Sequence, residues 1–138
     1  PLQHLAQGRY AHFFALVLRG EVLYIGKSFR SELAVVIPAC IMQLGIDHAD
    51  LEIHLGRIRD VGMDRIGVAS VDAVLDLLVF ARKPRHNADG KFKYLGTTDL
   101  HVTNVGCAAL PAKLRAENQM VFVSKLTSTL PAVTISAC

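Results

Sequence analysis

Two short apolar runs, separated by a turn signal, begin the patterned part of the chain. Residues 13–18 and 22–25 are apolar and partly aromatic, and Arg19-Gly20-Glu21 lies between them. Runs of this length on either side of a glycine-containing turn are typical of strands that pair as a hairpin. The pattern therefore predicts a first strand, a turn and a second strand.

A longer apolar segment with helix-boundary residues follows the hairpin. Ser31 can cap the amino end of a helix, Glu32 is favourable in a first turn, and Gly45 can end the helix. Pro38 lies in the interior, where a proline costs a helix about 3 kcal/mol. We therefore expect either one kinked helix or two short helices over residues 31–44.

In the next two segments, the apolar residues recur with different spacings. Residues 51–58 alternate apolar and polar side chains, which predicts a half-buried third strand. Beyond them, Ser70 is expected to cap a second helix that ends before Pro84. The apolar residues that recur at helical spacing in this segment are Val71, Val74, Leu75, Leu78 and Val79.

Weaker strand signals occupy the rest of the chain. Residues 100–103 and 120–123 are strand-like, and the final residues are rich in Ser and Thr and are expected to fray. Together with the earlier elements, these runs predict a small α/β sandwich of sheet and helices.

Composition narrows the class of protein. A length of 138 residues suits one domain, and 51% hydrophobic against 20% charged residues excludes a disordered, highly charged chain. The net charge of +3 permits a polyanionic partner without requiring one. The longest apolar stretch, residues 33–44, is too short to span a bilayer, so no membrane partner is expected.

Cysteine usage bears on the compartment. Cys40, Cys107 and Cys138 are an odd number and have no CxxC spacing, which argues against a disulfide framework and against a structural zinc site. We therefore expect a reducing, cytoplasmic location. Cys40 lies in an apolar segment and is expected to be a core thiol.

Three polar groups follow one another near the end of the second predicted strand. Arg30 can hold two phosphate oxygens and Lys27 can add a point charge. The Tyr24 hydroxyl, if deprotonated or relayed through water, can help to generate a nucleophile. This combination suits a phosphodiester.

Two motifs resemble the signature of the GIY-YIG nuclease superfamily. Tyr24-Ile25-Gly26 matches the second of the family's two tripeptides, and residues 84–87, Pro-Arg-His-Asn, match its Pro-x-x-Asn element. Asn87 would then be the family's structural asparagine, although Asn before Ala-Asp-Gly is also ordinary turn chemistry. Arg30 is the best match to the family's helix arginine.

The resemblance also implies a fold. The order of hairpin, helix, strand and helix is that of the family, and the match covers roughly residues 10–87. It implies a small three-stranded antiparallel sheet with flanking helices over residues 10–95. Residues 96–138 would form a C-terminal extension with one or two short strands, within a single domain of residues 1–138.

Two positions depart from the family pattern. His12-Phe13-Phe14 stands where the first tripeptide should be, so one phenol is missing. Alignment on Pro84 places the family's metal-binding glutamate at Leu75, which cannot ligate a cation. Asp76 and Asp72 are the candidate replacements for holding Mg²⁺ or Mn²⁺. Otherwise Asp72 merely favours the helix dipole and Asp76 is a solvated surface residue.

The resemblance leads to two functional hypotheses. One is a metal-dependent endonuclease that hydrolyses DNA phosphodiester bonds, with Tyr24, Lys27, Arg30 and Asn87 as its catalytic residues. The other, favoured by Leu75, is a catalytically inactive GIY-YIG-like domain that binds nucleic acid or another partner. A third hypothesis is a small α/β protein with an unrelated ligand. The expected contacts to nucleic acid, part of them in a basic loop with interleaved aromatic residues, are Lys27, Arg30, Arg82, Lys83, Arg85, Lys91 and Lys93.

Overall fold

The computed structural model describes residues 12–27, 33–46, 49–61, 68–90, 100–105, 113–117, 120–122 and 132–137. Its elements in chain order are β1 (Phe13–Leu18), β2 (Glu21–Lys27), α1 (Leu33–Leu44), β3 (Leu51–Val61), α2 (Val68–Arg82), β4 (Leu100–Val105), β5 (Lys113–Glu117), β6 (Met120–Phe122) and β7 (Ala132–Ala137). The protein is therefore a mixed α/β protein, as its sequence predicts.

The described strands form one sheet in the order β2-β1-β3-β7-β4-β5-β6. The neighbouring strands are antiparallel, except for the parallel pair of β4 and β7. At one end of the sheet, β2-β1-β3 is the three-stranded antiparallel unit that the sequence predicts, with β1 in the centre and β2 at the edge.

The C-terminal part of the chain departs from the prediction of one or two short strands. Its described residues contribute four strands, and residues 132–137, which were expected to fray, form β7 between β3 and β4. A strand with a partner on each side is stabilised by pairs that are distant in sequence, such as Ile58 with Ile135 and Val102 with Val133. The alternation of Val133 and Ile135 with Thr134 was the local signal for this strand.

The hairpin between β1 and β2 closes with two residues. Arg19 and Gly20 both have positive φ, at 50° and 81°, and Leu18 pairs with Glu21. Positive φ at both central positions is the type I′ geometry whose twist suits a two-residue hairpin. The predicted turn is therefore confirmed, with Glu21 already in β2.

A β-bulge in β2 determines which way Tyr24 faces. Leu16 pairs with Tyr24 and Val17 pairs with Val22, so Leu23 is the extra residue on β2. The bulge interrupts the alternation of side chains, and Leu23 and Tyr24 consequently belong to the same apolar cluster.

Helix α1 is continuous across Pro38. Pro38 is its sixth residue, so the backbone bond that its missing N–H would make falls near the amino end of the helix. Gly45 adopts a φ of +64°, and the bonds from Gly45 N to Met42 O and from Ile46 N to Ile41 O, both 3.2 Å, form a Schellman ending. The predicted C-cap at Gly45 is confirmed.

Helix α2 begins at Val68, so the prediction that Ser70 caps it is wrong. Serine costs a helix interior only about 0.5 kcal/mol relative to alanine, and it therefore does not force a boundary. The helix ends before Pro84 as predicted. Lys83 follows it with a φ of +48°, and Lys83 N donates to Val79 O at 2.8 Å, which is an αL ending on a non-glycine residue.

The two helices cover opposite faces of the β2-β1-β3 end of the sheet. Phe13, Ala15 and Val17 of β1 share a buried cluster with α2, which we call the α2-side core. Phe14 and Leu16 share the other cluster with α1, which we call the α1-side core. Strand β1 is thus buried on both faces. Neither described helix has the length and apolar character that crossing a membrane requires.

Candidate nucleic-acid interface

The two motifs found in the sequence are in direct contact. Asn87 Oδ1 accepts a hydrogen bond from Ile25 N, and Asn87 Nδ2 donates one to Ile25 O, each at 2.9 Å. Ile25 is the middle residue of Tyr24-Ile25-Gly26, and Asn87 ends the Pro-x-x-Asn element 62 positions later. The side-chain amide therefore pairs with the edge of β2 as a neighbouring strand would.

The backbone before Asn87 follows the same edge. His86 N donates to Leu23 O at 2.8 Å, and Arg85 Nη2 donates to Oε1 and Oε2 of Glu21 at 2.8 and 2.9 Å. The segment therefore contacts β2 at Glu21, then Leu23, then Ile25. Because these partners come in the same chain order as the segment, it runs parallel to the strand. An edge strand that would otherwise expose its N–H and C=O groups is covered here by the 84–87 segment.

Gly26 is required at its position by two aromatic rings. It pairs with Phe14 across the hairpin, and the Phe14 and Tyr24 rings lie on the same face with their centroids 5.8 Å apart. A Cβ at Gly26 would overlap Phe14 Cζ and would lie 2.7 Å from Phe14 Cε1 and 2.8 Å from Tyr24 Cε1. Phe14, which the sequence resemblance aligns with a tyrosine, is therefore a packing residue over Gly26.

The phenol of Tyr24 has a thiol as its polar partner. Tyr24 packs in the α1-side core and hydrogen-bonds to Cys40 of α1. Burial raises the pKa of Tyr24 above its ordinary value of 10.0, and Cys40 raises it further. Burial also raises the pKa of Cys40, which the hydrogen bond from Tyr24 partly offsets. The phenol and the thiol are therefore both protonated at neutral pH.

The two candidate metal ligands, Asp72 and Asp76, are on α2 and lie close to Lys27. Lys27 Nζ forms an ion pair with Asp72 Oδ1 of α2. Burial raises the pKa of the Asp76 carboxyl above its usual 3.8, the negative charge of Asp72 raises it further, and Lys27 lowers it. The three side chains thus form one charged cluster, which we call the Lys27–Asp72–Asp76 cluster.

Helix α2 packs its apolar residues into the α2-side core, whereas Tyr24 packs on the α1 side. The structure therefore does not pair the Tyr24 phenol with either candidate aspartate. Leu75, at the position aligned with the family's glutamate, packs against the α2-side core. Within the described residues, no group of three or more His, Cys, Asp or Glu side chains is arranged to hold a metal ion.

Three of the predicted basic contacts lie at the end of α2. Arg82, Lys83 and Arg85 are all exposed. Lys83 Nζ donates to Phe80 O at 3.1 Å and lies 4.1 Å from the centre of the Phe80 ring. Cations are favoured at this position because the carboxyl end of a helix carries partial negative charge.

The predicted basic contacts that the structure describes lie at two separate places along β2. Arg85 contacts Glu21 at the start of β2, whereas Lys27 lies at the end of the strand. Six residues of extended chain separate these positions by about 20 Å. Three of the predicted contacts, Arg30, Lys91 and Lys93, lie outside the described residues.

Sequence reasoning did not identify two of the site's partners. Glu21 was assigned only to the turn, and Cys40 was predicted only to be a core thiol. Both contacts join residues far apart in the chain, at separations of 64 for Arg85 and Glu21 and 16 for Tyr24 and Cys40. No local pattern marks such a pair.

Comparison with known proteins leaves the family open. No family model matches the chain, and neither a curated protein nor a solved structure matches it significantly.

Proposed function

We propose that this chain is a GIY-YIG-like domain that binds nucleic acid and does not hydrolyse it. The observation that carries the proposal is the pair of hydrogen bonds between Asn87 and Ile25, because it joins the two motifs on which the family resemblance rests. The order β2-β1-β3 with a helix on each face supports the same family.

The chemistry around Tyr24 argues for binding over hydrolysis. A general base near neutral pH needs a pKa close to the working pH, whereas burial moves the pKa of Tyr24 upward from 10.0. The hydroxyl is engaged with Cys40, and Leu75 occupies the position of the family's metal ligand. A phenol in this setting serves packing better than it serves proton transfer.

Phosphate binding uses the exposed cations beside β2. Arg82 and Lys83 directly precede the 84–87 segment, and Arg85 lies within it. The bond between Arg85 and Glu21 is exposed, and exposed ion pairs contribute only about 0–1 kcal/mol, so a phosphate can replace the carboxylate at little cost. Lys27 provides a further cation along the same strand.

The test of binding is a salt titration with a fluorescently labelled DNA duplex, read by anisotropy. The double variant Arg82→Gln, Lys83→Gln is expected to bind about tenfold more weakly and to lower the salt slope by about two. The control is Arg57→Gln, Lys113→Gln, which removes the same charge from β3 and β5 and is expected to change binding little. Equal losses in both double variants would show that only net charge matters.

A second candidate function is metal-dependent hydrolysis, which the Lys27–Asp72–Asp76 cluster favours. Two carboxylates beside an ammonium could hold Mg²⁺ or Mn²⁺ and a phosphate together. Supercoiled plasmid with either metal separates the candidates. We expect no metal-dependent nicking; nicking that disappears in Asp76→Ala and in Tyr24→Phe would establish hydrolysis instead.

A further inference from the structure

The contact between Lys27 and Asp72 has a consequence for the strength of phosphate binding. Lys27 is the last residue of β2, and its ammonium pairs with the carboxylate of Asp72 on α2, 45 positions later. The Lys27 side chain is 46% exposed and that of Asp72 is 42% exposed. The pair is therefore open to solvent and to a ligand.

A carboxylate and a phosphate compete for the same ammonium. Both are anions with oxygen acceptors, and a lysine ammonium binds either one as a point charge. In the free protein the charge of Lys27 is already neutralised by Asp72. A phosphate that reaches Lys27 must therefore displace the carboxylate of Asp72.

The neighbouring Asp76 makes this competition stronger. Asp76 is one helical turn after Asp72 on α2, and each carboxylate lies in the field of the other. Two negative charges then face one positive charge, so the cluster as a whole repels an incoming phosphate. Removing one carboxylate leaves one positive and one negative charge.

We propose that Asp72 is an intramolecular competitor of nucleic acid, which occupies the ammonium of Lys27 in the free protein and is displaced when a phosphate binds. This inference rests on the proposed nucleic-acid binding and adds an autoinhibitory contact to it. Asp72 therefore weakens binding in the wild-type protein.

The experiment measures duplex DNA binding by anisotropy for the wild type and for Asp72→Asn. We expect the variant to bind about fivefold more tightly at moderate salt, because Lys27 becomes available to a phosphate. Its salt slope should change little, because Lys27 contacts a phosphate in both complexes and only the cost of displacing Asp72 is removed. Glu52→Gln on β3 is the matched control, because it makes the same change in net charge, from +3 to +4.

A double-mutant cycle assigns the gain to Lys27. In the wild-type background, Lys27→Gln should cost little affinity, because Asp72 already occupies the ammonium. In the Asp72→Asn background, the same substitution should remove the gain. An equal loss from Lys27→Gln in both backgrounds would overturn the proposal.

The outcomes distinguish this inference from the proposed function. If the wild type and Asp72→Asn both bind DNA and the variant gains no more than Glu52→Gln, the competitor role is wrong and the binding function stands. If neither protein binds DNA, both proposals fail. Asp72→Ser, with circular dichroism as the check on folding, repeats the comparison should Asp72→Asn be misfolded.

Discussion

Asn87 binds both backbone polar groups of Ile25 through its side-chain amide. The N–H of Ile25 donates to Oδ1 and the C=O of Ile25 accepts from Nδ2, both at 2.9 Å in a partly buried setting. A side chain here completes the edge of a sheet, and it ties the end of α2 to the strand that carries Tyr24 and Lys27. The 84–87 segment and β2 should therefore unfold together.

Asn87→Ala should lower the free energy of unfolding by about 2 kcal/mol, because two partly buried backbone groups of Ile25 lose their partners. Asn87→Asp keeps the acceptor for Ile25 N–H but places a carboxylate oxygen against Ile25 O. It should be as destabilising at pH 7, and protonation of the carboxyl at low pH should restore a donor and narrow the deficit. Urea unfolding at the two pH values measures both effects.

The control for Asn87 is Asp89→Ala, an exposed position two residues further along the chain. It should change the free energy of unfolding by no more than about 0.5 kcal/mol. A loss for Asn87→Ala no larger than that of Asp89→Ala would mean that water replaces the amide without cost.

Gly26→Ala should destabilise the protein by about 1–3 kcal/mol, because the added methyl overlaps the Phe14 ring and contacts Tyr24. The partner variant is Phe14→Leu, which removes the ring atoms that the methyl meets. The double variant Gly26→Ala, Phe14→Leu should be more stable than the sum of the single effects predicts. Thermal unfolding of the four proteins measures this coupling, and strictly additive effects would contradict the packing described.

Features set by local backbone chemistry were predictable from the sequence. Gly45 ends α1 in a left-handed conformation and Gly20 helps to close the hairpin, because glycine adopts positive φ at no steric cost. The strand period of residues 51–58 also predicted β3, which extends to Val61. Each of these signals depends on residues a few positions apart.

Features that depend on distant pairing were not predictable. The bulge at Leu23 exists only in the register of β2 against β1, and it places Tyr24 against Cys40. For β7, the short alternation around Thr134 is a local strand signal, but its position between β3 and β4 depends on pairing with those distant strands. Tyr24 was therefore identified from its sequence motif, but the residues that surround it could be identified only from the folded structure.

Asp76→Asn should stabilise the protein at pH 7. The folded pKa of Asp76 is raised, mainly by burial and then by Asp72, so folding favours the protonated carboxyl. That contribution is complete below the unfolded pKa of 3.8 and is lost as the pH rises through the folded pKa. At pH 7 the charged carboxylate therefore opposes folding, and the uncharged amide removes this cost.

The pH dependence is the readout for Asp76. The melting temperature of Asp76→Asn should exceed that of the wild type at pH 7, and the difference should shrink as the pH falls toward 3.8. The control is Asp50→Asn, which removes a carboxylate from the exposed pair with Arg19 and should not stabilise the protein at pH 7. A lower melting temperature for Asp76→Asn at pH 7 would mean that Lys27 dominates the environment of the carboxylate.

The Tyr24 hydroxyl should stabilise the protein at neutral pH and should lose this effect at alkaline pH. Tyr24→Phe removes the hydrogen bond to Cys40 and should cost about 1 kcal/mol at pH 7. Because the folded pKa of Tyr24 is raised, its contribution is complete below the unfolded pKa of 10.0 and is lost as the pH rises through the folded pKa. In urea unfolding from pH 7 to 11, the difference in free energy of unfolding between the wild type and Tyr24→Phe should decrease above pH 10.

Tyr24 and Cys40 influence each other's pKa, and Cys40→Ala separates the two groups. In that background, Tyr24→Phe should cost less at pH 7, because the thiol is no longer present to bind the hydroxyl. If the difference in free energy of unfolding between the wild type and Tyr24→Phe instead disappears between pH 6 and 8, the pKa of Tyr24 is near neutrality. Such a phenol would be suited to proton transfer, and the hydrolytic candidate would then be favoured over nucleic-acid binding alone.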